Sequence, residues 1–131
     1  MERTAVDPVT WSEKLGFNQG EVVSGHTRTL YVSGQTAMSG DGEPRHDGDM
    51  EGQLTLSVDN LEAVLGEAGM SLANLVRLNL YTTDVDLLFR HYGVLAARLG
   101  AAGVAPASTM LGVTRLAIPG QMIELEGTAV A

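Results

Sequence analysis

Between residues 49 and 82 the spacing of apolar side chains switches from a helical period to a strand period, and few folds accommodate that switch. Leu54, Val58, Leu61 and Leu65 recur at steps of four, three and four, with Val64 and Ala68 widening the stripe. Asp59, Glu62 and Gly66 fall away from it. Asp49 suits the N-cap of this helix and Gly69 the position after its end, since an aspartate accepts the unpaired first N–H groups and a glycine adopts a left-handed turn. The next stretch, 75–82, alternates: Val76, Leu78 and Leu80 point one way, Arg77, Asn79 and Tyr81 the other, which is the pattern of a half-buried strand.

The flanking chain extends this order. Residues 21–24 and 28–33 are short apolar runs joined by Ser24-Gly-His-Thr27, which predicts a hairpin. The stretch before Gly20 is too mixed to assign, and residues 39–48, rich in turn formers, form a surface loop long enough to be mobile or functional. Asp84 or Asp86 caps a second helix with the stripe Leu88, His91 or Tyr92, Leu95 and Leu99, ending near Gly100 to Gly103, before Pro106. Two strands follow, 107–116 and 122–130, joined by 117–121.

The expectation is an α+β fold in the order ββ-α-β-α-ββ, a mixed sheet with two helices packed on one face. No internal repeat or linker interrupts it. The length, 131 residues, suits a single domain, 1–131, that buries roughly two-thirds of its unfolded surface. Two helices cover only one sheet face. The other would carry Arg77, Asn79, Tyr81 and, by alternation, Met122, Glu124 and Glu126, a mixture suited to an interface between subunits.

Composition excludes several classes. The chain has no cysteine, so disulfides, zinc–thiolate sites, iron–sulfur clusters and cysteine nucleophiles are out. Its net charge of −8 opposes binding to nucleic acid or an anionic membrane. No run of about 18 apolar residues is present, and Met1-Glu-Arg-Thr lacks a signal pattern, so a cytoplasmic location is expected. His26, His46 and His91 show no metal-ligand spacing, and no metal or cofactor is implied. Ser33-Gly-Gln35 lacks the Gly-x-Ser-x-Gly elbow of a nucleophilic serine, and the glycines of 40–52 do not open a helix after a strand as a phosphate cradle does. Glu124 and Glu126 share a face; they read as surface carboxylates if solvated, whereas a lone carboxylate buried at an interface can act as general acid or position a water.

Six segments, taken in order, resemble the Rid/YjgF family of reactive-intermediate deaminases, also labelled endoribonuclease L-PSP. They are 30–35 (LYVSGQ), 59–69 (DNLEAVLGEAG), 75–84 (LVRLNLYTTD), 106–108 (PAS), 113–116 (VTRL) and 123–129 (IELEGTA). The resemblance covers residue 16 or so to the end of the sequence. It implies a chorismate-mutase-like fold, a homotrimer whose sheets form a central barrel, and three small-molecule sites in the subunit clefts. Active members hydrolyse imino or enamino acids to 2-keto acids and ammonia. By position, Glu124 matches the water-placing glutamate, and Ser33 and Gly34 match the family's Ser-Gly pair. Phe17 matches its N-terminal aromatic, and Met110 stands where some relatives have a cysteine.

Ser108 is the departure, because the family places there the arginine that forks onto the substrate carboxylate. A hydroxyl replaces that fixed charge with one weak donor, costing on the order of 2–5 kcal/mol of carboxylate binding. Arg115 cannot substitute within one subunit, being of opposite parity and about 23 Å further along an extended strand. The resemblance therefore leaves two classes open: hydrolysis of an imine or enamine that is not a 2-aminoacrylate-type acid, or small-molecule binding without chemistry by a trimer. A ribonuclease is disfavoured by the net charge and the lack of a histidine pair.

Overall fold

The computed structural model describes residues 1–131. Its first half comprises β1 (Glu2–Val6), a 3-10 turn (Trp11–Leu15), β2 (Gly20–Ser24), β3 (Thr29–Gln35) and α1 (Met50–Glu67). After a second 3-10 turn (Leu72–Asn74) come β4 (Leu75–Thr82), α2 (Val85–His91), α3 (Gly93–Ala101), β5 (Ala107–Gly112) and β6 (Ile123–Val130). The result is an α+β fold with a mixed sheet and three helices.

Helix α1 begins and ends where its capping residues put it. The Asp49 side chain accepts from the Gly52 N–H at 3.0 Å. At the other end Gly69 has φ +73°, its N–H donates to Gly66, and the Met70 N–H donates to the Leu65 carbonyl at 2.8 Å. These are the paired bonds of a Schellman stop, with Met70 folded back onto Leu65 in the core. Leu54, Val58, Leu61 and Leu65 are fully buried, each stabilising the fold by about 1.5–3 kcal/mol through burial. Between them Gln53 is also fully buried. Its amide donates to the His46 and Gly120 carbonyls, both at 3.0 Å, and accepts from the Met122 N–H at 2.7 Å. One side chain thus fastens two loops and the approach to β6 onto α1, and the loop at 39–48 is exposed but pinned at its far end.

The main sheet has the order β3-β6-β4-β5, with β6 antiparallel to both neighbours and β5 parallel to β4. Its helix-side residues (Leu78, Leu80, Ile123, Leu125 and Ala129 among them) join α1 and α3 in one cluster of 18 buried side chains. Alternation along β4 is as read from the sequence, with Leu78, Leu80 and Thr82 buried and Arg77 exposed, but a register shift between Leu75 and Arg77 turns Leu75 inward as well.

Three expectations are corrected. The hairpin of 21–24 with 28–33 does not form: β2 pairs with β1, a strand within the unassigned N-terminal stretch, from Glu2↔Ser24 to Val6↔Gly20. Instead of turning back, the linking residues Thr27 and Arg28 both donate to the Ala131 carbonyl at 2.9 Å, which leads β3 alongside β6. Arg3 holds the two-stranded ribbon down, bonding to the Glu21 carboxylate and to the Leu75 carbonyl at 2.6 Å. The second helix is two helices, broken at Tyr92, whose N–H reaches the i−3 carbonyl of Phe89 and whose hydroxyl is drawn to the Leu15 carbonyl at 3.0 Å. Gly93, a poor helix former, follows it. Finally, β5 ends at Gly112 instead of 116.

Candidate functional site

The residues matched to the family's site fall into two groups on opposite sides of the sheet. The first is built by a bulge in β3. Val32 pairs with Gly127 and Gln35 with Leu125, so Ser33 and Gly34 together oppose Glu126 alone. The extra residue brings the β3 backbone over the Glu124 side chain. A Cβ on Gly34 would lie 2.5 Å from Glu124 Oε2 and 2.6 Å from its Cδ, so any larger residue here would displace the Glu124 carboxylate.

Glu124 is half-buried on the face no helix covers, opposite Tyr81 of β4. Tyr81 and Asn79 both donate to Glu126, the amide at 3.1 Å, and leave Glu124 without a hydrogen bond from its own chain. The bond to Glu126 is the main reason the Tyr81 phenol is held above its ordinary pKa, with desolvation second. Two neighbouring carboxylates therefore have different settings: one accepts two bonds from the protein on a single oxygen, the other accepts none and is open to a water or a ligand.

The second group lies on the helix side. Register places Ser108 beside Leu78 and Met110 beside Leu80, both facing the helices. With Phe17 they line a cavity of about 230 Å³. Trp11 and Leu15 of the first 3-10 turn, Phe89 and Tyr92 at the helix break, and Leu80 complete its wall. The Trp11 and Phe17 rings meet edge to face at 5.8 Å, and Phe89 and Tyr92 lie 6.3 Å apart. Burial raises the Tyr92 phenol's pKa, and its proton is directed to Leu15. The Ser108 hydroxyl bonds to the Pro106 carbonyl at 2.9 Å, within its own strand entry.

Sequence reasoning thus identified Phe17, Ser108 and Met110 in the cavity and missed Trp11, Leu15, Phe89 and Tyr92. The available signal was the pairing of Phe89 with Tyr92 one helical turn apart. Within one chain the two groups do not converge. Glu124 and Ser108 sit two strands across and three residues along, roughly 14 Å between backbones, and face opposite ways.

Elsewhere, charge is dispersed. Arg98 pairs with Asp59 at 2.6 Å and Glu62 at 2.8 Å, Arg3 with Glu21, and no three ligating side chains converge as a metal site needs. No helix is long and apolar enough to cross a membrane.

Comparison with known proteins now decides the kinship. The model of the Endoribonuclease L-PSP family matches residues 13–131. The chain belongs to this Rid/YjgF family. It is 30% identical over 117 residues to the RutC family protein YjgH of Escherichia coli K12, covering 89% of this chain and 88% of that one. The crystal structure of the Rid family protein YyfB of Yersinia pestis, described as of unknown function, superposes with a TM-score of 0.84 at 32% identity, over the whole of both chains. That of Escherichia coli TdcF with bound serine gives 0.71 at 25% identity, over 88% of this Rid chain and 87% of TdcF. The bulge at Ser33-Gly34 and the Glu124 strand thus sit in a Rid scaffold.

Proposed function

We propose that this Rid protein hydrolyses an uncharged imine or enamine to a carbonyl compound and ammonia, in a cytoplasmic setting and without a cofactor. The observation that carries the reading is the Glu124 carboxylate, enclosed by the Gly34 backbone and accepting no bond from its own chain. Glu124 takes a proton from a water whose oxygen adds to the C=N carbon. It passes that proton to the nitrogen, giving a carbinolamine (an enamine first tautomerises to the imine by protonation at carbon); the hydroxyl proton then moves through Glu124 to the amino nitrogen as the C–N bond breaks, so ammonia leaves and the carbonyl forms. Ser108 restricts the substrate, since no fixed cation lines the cavity to hold a carboxylate.

Because Glu124 and the Ser108 cavity face opposite ways in one chain, they serve one substrate only across a seam between copies. The homotrimer of the Rid family supplies such seams. The open sheet face, with Tyr31 at 80% and Leu111 at 49% exposure, is the surface that assembly would cover. Serine bound to TdcF supports small-molecule binding in the family.

The test is ammonia release from imines made in situ, by an amine oxidase from uncharged amines and by an amino-acid oxidase from small amino acids. Uncharged imines should be turned over and amino-acid imines not. Glu124→Gln should lower the rate by at least ~100-fold with an unchanged melting temperature. Equal activity of Glu124→Gln, or preference for amino-acid imines, would refute the proposal. A second reading, a trimer that binds without catalysing, is favoured by one fact: the Ser108 hydroxyl already bonds to Pro106. It predicts saturable binding with no ammonia released.

A further inference from the structure

Four of the six aromatic side chains in this chain, Trp11, Phe17, Phe89 and Tyr92, line one cavity of about 230 Å³. Their convergence from a 3-10 turn, the loop after it and a helix break is not required by the core, whose 18 buried members include none of them. Two of the rings are costly to display: Trp11 is 58% exposed and Phe89 51% exposed, on opposite sides of the cavity. The wall is also poor in polar groups, its one uncommitted donor being the indole N–H of Trp11. Its hydroxyls both have partners, Tyr92 on Leu15 and Ser108 on Pro106, and it contains no charged side chain.

We propose that this cavity binds an uncharged aryl group, and that in the deamination reading, on which the substrate role rests, the aryl group is the substituent on the imine carbon. Size agrees, since an apolar cavity of roughly 150 Å³ accepts benzene and this one is larger. Geometry agrees as well. The Trp11–Phe17 pair, with planes at 82°, is an edge-to-face unit in the cavity wall, to which a further ring can add by offset stacking or edge contact. An anionic group would be desolvated there with no cation and only the Trp11 indole N–H to receive it, because the two hydroxyl protons are committed to backbone carbonyls.

Trp11 is the sole tryptophan, so its emission reports on this cavity alone. Excited at the red edge of its absorption, it can be followed while the protein is titrated with phenylacetamide, phenylacetate and propionamide. These differ pairwise in charge and in the ring. Phenylacetamide should give a saturable change and bind at least ~10-fold more tightly than phenylacetate, with propionamide giving none. Ser108→Arg should bring phenylacetate up by at least ~10-fold. Phe89→Ala, at an exposed position that the fold tolerates, should weaken phenylacetamide while leaving the melting temperature unchanged. Phenylacetate binding as tightly as its amide, propionamide binding as tightly as either, or no saturable change with any of the three would overturn the proposal; the last is the outcome if a second copy fills the cavity. These titrations read binding without turnover, so a failure of the hydrolytic reading (no Glu124-dependent ammonia) is separable from a failure here.

Discussion

On the covered face of the sheet Leu78, Leu80 and Leu125 are at most 1% exposed, packed under the helices. One residue along each strand, on the open face, Asn79, Tyr81 and Glu124 are half-buried and polar, with Leu111 and Tyr31 exposed around them. The same four strands thus carry a packed apolar surface and a half-buried polar one, separated by the thickness of a backbone. The difference teaches where tolerance lies. Removing an apolar group from the first face leaves a cavity that the packed helices cannot close, whereas the second face has solvent, or another copy, as its neighbour. Chemistry near Glu124 is therefore insulated from the core even though β6 supplies both.

Substitutions ranked by expected effect can break this comparison. Leu78→Ala should destabilise the protein by about 3 kcal/mol in urea unfolding, by loss of transfer energy plus a cavity. A cost below 1 kcal/mol would mean the covered face is not the principal core. Leu111→Glu, on the open face, should change the unfolding free energy of the protomer by no more than about 0.5 kcal/mol. In sedimentation, however, the native species should fall from about three times the 13.8 kDa chain toward one. An unchanged mass would show that this face is not the seam.

Tyr81→Phe should have the smallest effect. The folded Tyr81 phenol, raised by its bond to Glu126, keeps its proton longer than the unfolded one. The associated stabilisation is complete below the ordinary value near 10 and is lost as pH rises through the folded pKa. An absorbance titration above pH 10 should lose one late-ionising phenol in the variant. If the late phase persists undiminished, it belongs to Tyr92 alone, which burial also raises.

Sequence signals were sufficient where the determinants are local. Asp49, Gly69 and Asp84 act on N–H and C=O groups a few residues away, so the start and end of α1 and the start of α2 were readable. The alternation of β4 is local in the same sense. What escaped depended on distant partners. β2 pairs with β1, instead of with its neighbour in sequence, because Thr27 and Arg28 bond to Ala131 and Arg3 reaches Leu75. The helix break follows from Tyr92 reaching Leu15 across the cavity.

The site was legible as residue identities but not as an arrangement. Ser108 and Glu124 could be matched to a family pattern, yet their opposite orientations follow only from the strand order β3-β6-β4-β5. Gly34 could be matched too, but its reason, the Glu124 carboxylate 2.5 Å from where a Cβ would stand, appears only when β3 is set beside β6.

That strand order has a consequence for the timing of assembly. β6 is synthesised after every strand it joins, yet it occupies the middle of the sheet, pairing with β3 some ninety residues earlier in the chain. Until it inserts, β3 is an unpaired edge and the β4–β5 pair is open on one side, so the nascent chain must wait with its sheet divided. Core closure and the delivery of Glu124 to Gly34 then become one event. A chain that stalls before this step lacks the site altogether instead of holding it half-formed, and its exposed strand edges mark it for capture by chaperones or proteases.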